Sequence, residues 1–173
     1  MRNTAFIATG LALLLVQENL FRILGWVHVP GLSPSLVLPL ILFMGVHEYS
    51  LVRGAAVAFF LGYVSDLVGI APVGLYTFTY VALFLLARAA GVRLAAQTVM
   101  MQVALALAFT LVHSVMILVL LAIFGRDAYV PRALYPMILP HVLATGAVAP
   151  LIFRLAQRLH VATVLTTRVR EAE

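Results

Sequence analysis

The chain has 173 residues, of which 64% are hydrophobic and only 10% are charged, and its mean hydropathy is +1.12. This composition excludes an ordinary soluble domain, and the net charge of +5 comes from arginines placed between apolar stretches, which is typical of membrane topology rather than nucleic-acid binding. Without cysteine, the chain has no disulfide, thiolate nucleophile or thiolate metal ligand.

Six apolar stretches, separated by short segments rich in glycine and proline, predict six transmembrane helices. A hydrocarbon core about 30 Å thick requires about 20 apolar residues in a helix, and the stretches are near that length. The predicted helices cover residues 4–24, 33–49, 54–70, 74–90, 97–124 and 132–159. Because the connections are short, consecutive helices are expected to be antiparallel neighbours. The sequence thus predicts an all-α integral membrane protein, with residues 1–173 forming one compact domain.

The arginines predict that both termini are cytoplasmic. With that orientation eight arginines lie inside, and three lie outside, at Arg22, Arg126 and Arg132. The positive-inside rule favours this arrangement over its inverse. The inside set is Arg2, Arg53, Arg88, Arg93, Arg154, Arg158, Arg168 and Arg170. The first apolar stretch lacks a small-residue cleavage site, so we interpret it as a membrane anchor and not as a signal peptide.

Helix 1 carries a polar turn near its outer end. Glu18 and Arg22 are four residues apart and share a face, with Gln17 and Asn19 beside them. Either the two charges form an intrahelical pair, or they face a partner helix. Arg22 is also a candidate partner for Asp66 of helix 3, because a carboxylate at membrane depth requires one.

Helix 3 contains a narrow stripe of small residues that ends in an acid. Gly54, Ala58, Gly62 and Asp66 follow at intervals of four, a spacing that lets another helix backbone approach closely. The spacing does not distinguish a helix of the same chain from a helix of a partner. The stripe is therefore predicted to be a packing or partner-helix interface, with Asp66 as a structural ion pair or as a contact with a partner or solute.

Histidines and prolines in the other helices have two interpretations each. His47 and Glu48 close helix 2 and are expected to be interfacial. His113 and His141 lie near the middle of helices 5 and 6, and each is expected to be a neutral core residue unless both face one cavity. Pro136, Pro140 and Pro150 kink helix 6, as at transport sites but also in purely structural bundles.

The chemistry-bearing motifs of enzymes are missing from the sequence. It contains no phosphate-binding glycine loop, no HExxH, no GxSxG, and no pair of acids on one helix that would hold a divalent metal. We therefore expect a non-enzymatic protein without catalytic residues, cofactor or metal. A membrane-embedded transferase or protease is the least favoured alternative, since no nucleophile and base are recognisably placed.

The segment GAAVAFFLGYVSDLVGIAPVGLYTFTYVALFLLAR, which starts at Gly54, resembles the central signature of the rod shape-determining MreD family. That signature has a glycine, an aspartate four residues later, and then a glycine, proline and glycine-leucine turn before the next apolar helix. The matching positions are Gly62, Asp66, Gly69, Pro72, Gly74 and Leu75. The closing GAVAPLIFRLAQRL, the chain length and the predicted topology are also similar to the family, so the resemblance covers nearly the whole chain.

The resemblance implies a scaffold subunit of the bacterial cell-elongation complex in the cytoplasmic (inner) membrane. Its direct partner would be the single-span protein MreC. Through MreC it would connect actin-like MreB filaments with the peptidoglycan synthases, a RodA-type glycosyltransferase and a class B transpeptidase. Membrane lipids are further expected partners, and nucleic acid is not. Gly62, Asp66 and Gly74 are the positions where substitution is expected to matter most.

The main alternative is a small-solute transport subunit resembling the substrate-binding component of energy-coupling-factor vitamin transporters. Those components are also six-helix proteins of about this length. Such a protein would gather polar and aromatic residues in a pocket under its outer loops. The residues available for this are Glu18, Arg22, Trp26, Asp66 and Tyr76.

Overall fold

The structure is a computed structural model that describes the backbone of residues 2–24, 33–47, 50–69, 72–90, 98–124 and 129–171. Within these ranges it contains six α-helices and no strand. The helices are α1 Arg2–Leu24, α2 Val37–His47, α3 Leu51–Val68, α4 Leu75–Ala89, α5 Val99–Phe124 and α6 Tyr129–Glu171. The prediction of an all-helical chain with six helices is confirmed for this part of the protein. Trp26 and Glu48 lie outside it.

Within the described residues, three of the helices are long and apolar enough to cross a membrane, and not all six as the sequence predicts. They are α3, α5 and the part of α6 from Pro136 to Ala162. The remaining apolar helical segments are shorter, at Thr4–Leu20, Val37–His47 and Leu75–Ala89. The shortest is α2, whose 11 residues rise only about 16 Å, roughly half the hydrocarbon thickness.

The predicted bounds of two helices were wrong. Helix 2 begins at Val37 and not at residue 33, because residues 33–36 are not helical. Helix 6 continues past Leu159 to Glu171. Its apolar pattern ends near Leu159, but neither glycine nor proline follows to stop the backbone hydrogen-bond ladder, so the helix extends beyond its apolar part.

The shortest helix forms the centre of the bundle. α2 packs against all five other helices, and its residues from Val37 to Val46 are all buried. A helix that is apolar on every side is surrounded either by protein or by lipid, and α2 is surrounded by protein. The most extensive pairings around it are the hairpins α3–α4 and α5–α6.

Aromatic contacts place the start of α1 and the part of α6 around His160 at the same end of the bundle. Phe43, near the end of α2, stacks on His47 with ring centroids 4.1 Å apart. The ring of Phe6 lies 6.3 Å from Phe43, and that of His160 lies 6.2 Å from it. We call this end, which also carries Arg53, Arg88, Arg154 and Arg158, the arginine end. These four are all the arginines whose side chains the structure describes.

The outer faces of the helices are apolar. Large hydrophobic side chains remain exposed on α3, α4, α5 and α6, among them Phe59, Phe78, Leu111 and Leu151. Apolar side chains exposed around the circumference of a helical bundle are what a bilayer environment requires. Together with the three long apolar helices, they are compatible with a multi-pass membrane protein.

Candidate functional site

The carboxylate of Asp66 caps the amino terminus of α4. It is 2% exposed, near the end of α3, and it accepts backbone N–H groups from the first turn of the next helix. Gly74 N and Thr77 N donate to Oδ2 at 2.9 and 3.0 Å, and Tyr76 N donates to Oδ1 at 2.8 Å. The Thr77 hydroxyl also donates to Oδ2. The first N–H groups of a helix have no intrahelical acceptor, and a negative charge is favourable at a helix amino terminus. The cap therefore stabilises both the Asp66 carboxylate and the N–H groups of the first turn of α4.

Two glycines make this cap geometrically feasible. A Cβ added to Gly62 would lie 2.5 Å from Thr77 Cα and 2.9 Å from Thr77 N, so α3 and α4 touch backbone to backbone one turn before Asp66. Gly74 has a φ of +99°, a conformation that glycine adopts without strain, and it turns the chain into α4. Leu75 N donates to the Pro72 carbonyl across the same turn.

The small-residue stripe of α3 is occupied by α4 over its whole length. Gly54, Ala58, Gly62 and Asp66 are all buried, and a Cβ on Gly54 would lie 2.3 Å from the Phe84 ring. Gly69 follows as the carboxyl-terminal cap of α3, where its N–H donates to the Ser65 carbonyl. The residues of the MreD-like signature therefore form the α3–α4 hairpin, and the stripe offers no open groove to a helix of another protein.

The ion pairs predicted for helix 1 involve Arg22, whose side chain lies outside the described residues. Glu18 is partly buried on α1. Its neighbour Gln17 has a definite role, because the Gln17 Oε1 accepts the backbone N–H of Leu36 at 2.9 Å. Asp66 has four donors among the described residues, three on Oδ2 and one on Oδ1, so both carboxylate oxygens accept hydrogen bonds.

The second notable feature is residues 33–36, a buried and non-helical segment that leads into α2. Three of its backbone groups are bound by side chains of other helices. Ser35 N donates to the Thr145 Oγ1 at 3.0 Å, and His141 Nδ1 lies 2.7 Å from the Ser33 carbonyl oxygen. A carbonyl only accepts, so the Nδ1 of His141 carries the proton. Non-helical backbone at membrane depth persists only when it is satisfied in this way.

Polar side chains from two further helices, α4 and α5, complete this cluster. The Tyr80 hydroxyl on α4 is directed toward Ser65 and Ser35, and the Tyr80 ring lies 5.7 Å from the ring of His113 on α5. His113 is close enough to His141 to interact with it electrostatically. Neither Ser35 Oγ nor His113 Nδ1 forms a hydrogen bond of ordinary geometry with another described residue. We call Gln17, Ser33, Ser35, Tyr80, His113, His141 and Thr145 the buried polar cluster.

The sequence singled out His113 and His141 but missed their surroundings. Gln17, Ser35, Tyr80 and Thr145 are far apart in the chain, and their residue types are common in membrane helices. The available signal was the Ser-Pro-Ser at 33–35, which disfavours helix just before an apolar stretch. Among the side chains that the structure describes, no group of three His, Cys, Asp or Glu residues could hold a metal ion.

Thr145→Val tests how far the non-helical segment depends on its side-chain acceptors. Valine has nearly the shape of threonine but leaves the buried Ser35 N–H without an acceptor, so we expect a loss of about 1–3 kcal/mol in the free energy of unfolding. Thr110→Val is the matched control, because the buried Thr110 hydroxyl donates only to the Ala106 carbonyl of its own helix. Unfolding in mixed detergent micelles, followed by circular dichroism, measures both. Equal stability of the two variants would contradict the role of Thr145.

No protein-family model, curated protein or solved structure matches this chain. The functional assignment therefore depends on the residues and their geometry.

Proposed function

We propose that the protein is a non-enzymatic scaffold subunit of the bacterial cell-elongation complex, with six membrane-crossing helices in the inner membrane and both termini in the cytoplasm. The observation that carries this proposal is that the residues of the MreD-like signature form the α3–α4 hairpin. Gly62, Asp66 and Gly74 build a rigid helical hairpin, and every oxygen of the Asp66 carboxylate is engaged by that hairpin. A signature that builds a helical hairpin suits a scaffold protein, which holds a fixed shape and presents helix surfaces to partners.

Six crossings remain possible although α2 and α4 are short, because α2 packs inside the bundle and α4 packs in the α3–α4 hairpin. Residues 33–36 extend the path of α2 in a satisfied, non-helical conformation. The shared position of the start of α1 and the part of α6 around His160 supports an even number of crossings. The arginines at that end support its cytoplasmic placement by the positive-inside rule.

The direct partner in this proposal is a single-span MreC-like protein, bound through exposed helix faces. Through it the complex would include MreB filaments, a RodA-type glycosyltransferase and a class B transpeptidase. Because α4 fills the α3 stripe, the partner contact would use other surfaces, such as the exposed aromatic side chains Phe59, Tyr63 and Phe78. These side chains are apolar enough to pack against a transmembrane helix as well as against lipid.

Co-expression with an MreC-like protein tests the proposal. We expect an affinity-tagged chain to capture that protein in detergent, and Phe59→Ala with Tyr63→Ala to reduce the capture while leaving the helical content unchanged. Ala56→Ser, also on an exposed part of α3, is the matched control. Capture of no MreC-like protein would contradict the scaffold function, whereas undiminished capture by the double variant would contradict only the chosen surface.

The buried polar cluster favours a second candidate, the solute-transport subunit. Transport sites often form where a helix is interrupted near the middle of the membrane, and Ser35 Oγ and His113 Nδ1 form no hydrogen bond of ordinary geometry with the other described residues there. Co-expression with an energy-coupling ATPase module, followed by binding measurements with water-soluble vitamins, distinguishes the two. Stable assembly with the ATPase module and vitamin binding that His113→Ala abolishes would favour transport.

A further inference from the structure

The arginine end of α6 has a basic, exposed face. Arg154, Gln157 and Arg158 are exposed and, with Val161 and Ala162, line a shallow groove of about 480 Å³. Arg154 and Arg158 are four residues apart, so their guanidinium groups project from the same side of the helix, about one turn apart. Two neighbouring guanidinium groups on one face are suited to a phosphate, which accepts several hydrogen bonds at once.

No described acid neutralises these arginines. Glu18 and Asp66 are the acids whose side chains the structure describes, and Asp66 caps α4 at the opposite end of the hairpin from Arg53 and Arg88. Glu48, Glu171 and Glu173 lie outside the described side chains. Arg154 and Arg158 thus have no carboxylate beside them among the described side chains. This charge pattern is complementary to an anionic occupant.

The neighbouring residues of α6 identify the chemistry of that occupant. Leu151, which is 67% exposed, and the partly exposed Leu155 precede and alternate with the arginines on the outer surface. They lie in the apolar part of α6, Pro136–Ala162, whose 27 residues rise about 40 Å and so extend from the hydrocarbon into the headgroup layer. Leu151 lies about one turn deeper than Arg154 and about two turns deeper than Arg158, and Leu155 lies between the two arginines. A ligand on this surface would therefore meet Leu151 at hydrocarbon depth and the arginines nearer the headgroups.

We propose that Arg154 and Arg158 form a binding site for the headgroup phosphate of an anionic phospholipid, whose acyl chains extend from the arginines along Leu151. Basic sites at the cytoplasmic ends of transmembrane helices bind anionic headgroups by the same combination of charge and apolar contact. A soluble phosphate shares the charge but has no acyl chains, and an acidic protein segment would leave the leucines uncovered. The site is separate from the α3–α4 hairpin and from the buried polar cluster.

Native mass spectrometry of the full chain, with phosphatidylglycerol and phosphatidylcholine as probes, tests this site. We expect phosphatidylglycerol to bind roughly ten-fold more tightly, and Arg154→Gln with Arg158→Gln to remove most of that preference. The lysine pair Arg154→Lys and Arg158→Lys keeps the charge and is expected to retain most of the preference. Arg53→Gln is the matched control, because Arg53 is an exposed arginine at the same end but on α3.

The results that would overturn the site are specific. An unchanged preference for phosphatidylglycerol in the glutamine double variant would overturn the site. An equal loss of that preference in Arg53→Gln would also overturn it, since it would show only an effect of general surface charge. Displacement of phosphatidylglycerol by an equal concentration of glycerol phosphate would identify a soluble phosphate as the ligand, and displacement by polyglutamate would identify an acidic protein segment. If the double variant fails to keep its helical content, the single variants are used, each with a partial loss expected.

Discussion

Asp66→Ala is expected to lower the free energy of unfolding by about 3–5 kcal/mol. The substitution removes the acceptor for three backbone N–H groups and one hydroxyl at a site where Asp66 is 2% exposed and water is excluded. It also removes the negative charge that offsets the positive end of the α4 dipole. Reversible unfolding in mixed detergent micelles, followed by the helical circular dichroism signal, measures this loss.

Two milder variants separate the contributions to this cap. Asp66→Asn can keep an oxygen toward Gly74 and Thr77, but its NH2 group then faces the Tyr76 N–H and cannot accept from it. Since only that acceptor is lost, we expect a smaller loss, about 1–3 kcal/mol. Thr77→Val removes one donor and leaves the carboxylate its three backbone donors, so we expect the smallest loss of the three. A stability of Asp66→Ala equal to that of the unmodified protein would contradict the structural role of the carboxylate.

Gly62→Leu is expected to prevent the α3–α4 hairpin from closing, with a loss of at least about 3 kcal/mol or failure to fold. A Cβ at this position would lie 2.5 Å from Thr77 Cα and 2.9 Å from the Tyr76 carbonyl oxygen. These neighbours are backbone atoms, which cannot rotate away as a side chain can. Moving α4 aside would also break the hydrogen bonds of Asp66, one turn further along α3.

Ala56→Leu is the matched control for this prediction, since Ala56 lies on the same helix but is exposed. It adds the same side chain where no neighbouring backbone opposes it, so we expect nearly unchanged stability. The two variants are compared by micelle unfolding and by the yield of monodisperse protein after size-exclusion chromatography. Equal stability of Gly62→Leu and Ala56→Leu would show that the two helices are not held at the observed separation.

These two predictions also change the meaning of a partner-capture experiment. If Asp66→Asn acts only by destabilising the hairpin, the captured amount of an MreC-like protein should fall in proportion to the amount of folded protein. A loss of capture larger than the loss of folded protein would indicate that the hairpin itself contributes to the partner surface. Stability and capture are therefore measured on the same preparations.

The sequence by itself determined that the described chain is helical and approximately where its six helices lie. Apolar stretches, and the glycine and proline residues between them, are local signals. They favour or interrupt a helix through backbone conformation, whatever the helix packs against. It also determined that Gly62 and Asp66 belong to one close-packed face, because a spacing of four residues places side chains on the same side of a helix.

Only the tertiary structure decided what that face meets and how its charge is stabilised. A stripe of small residues has the same spacing whether it packs on its own chain or on a partner, and α4 occupies it here. The predicted partner Arg22 lies outside the described side chains, and among the described residues backbone N–H groups, which have no sequence signature, bind the Asp66 carboxylate. Likewise, Gln17, His141 and Thr145 converge on residues 33–36 through contacts between distant segments, which only the folded bundle brings together.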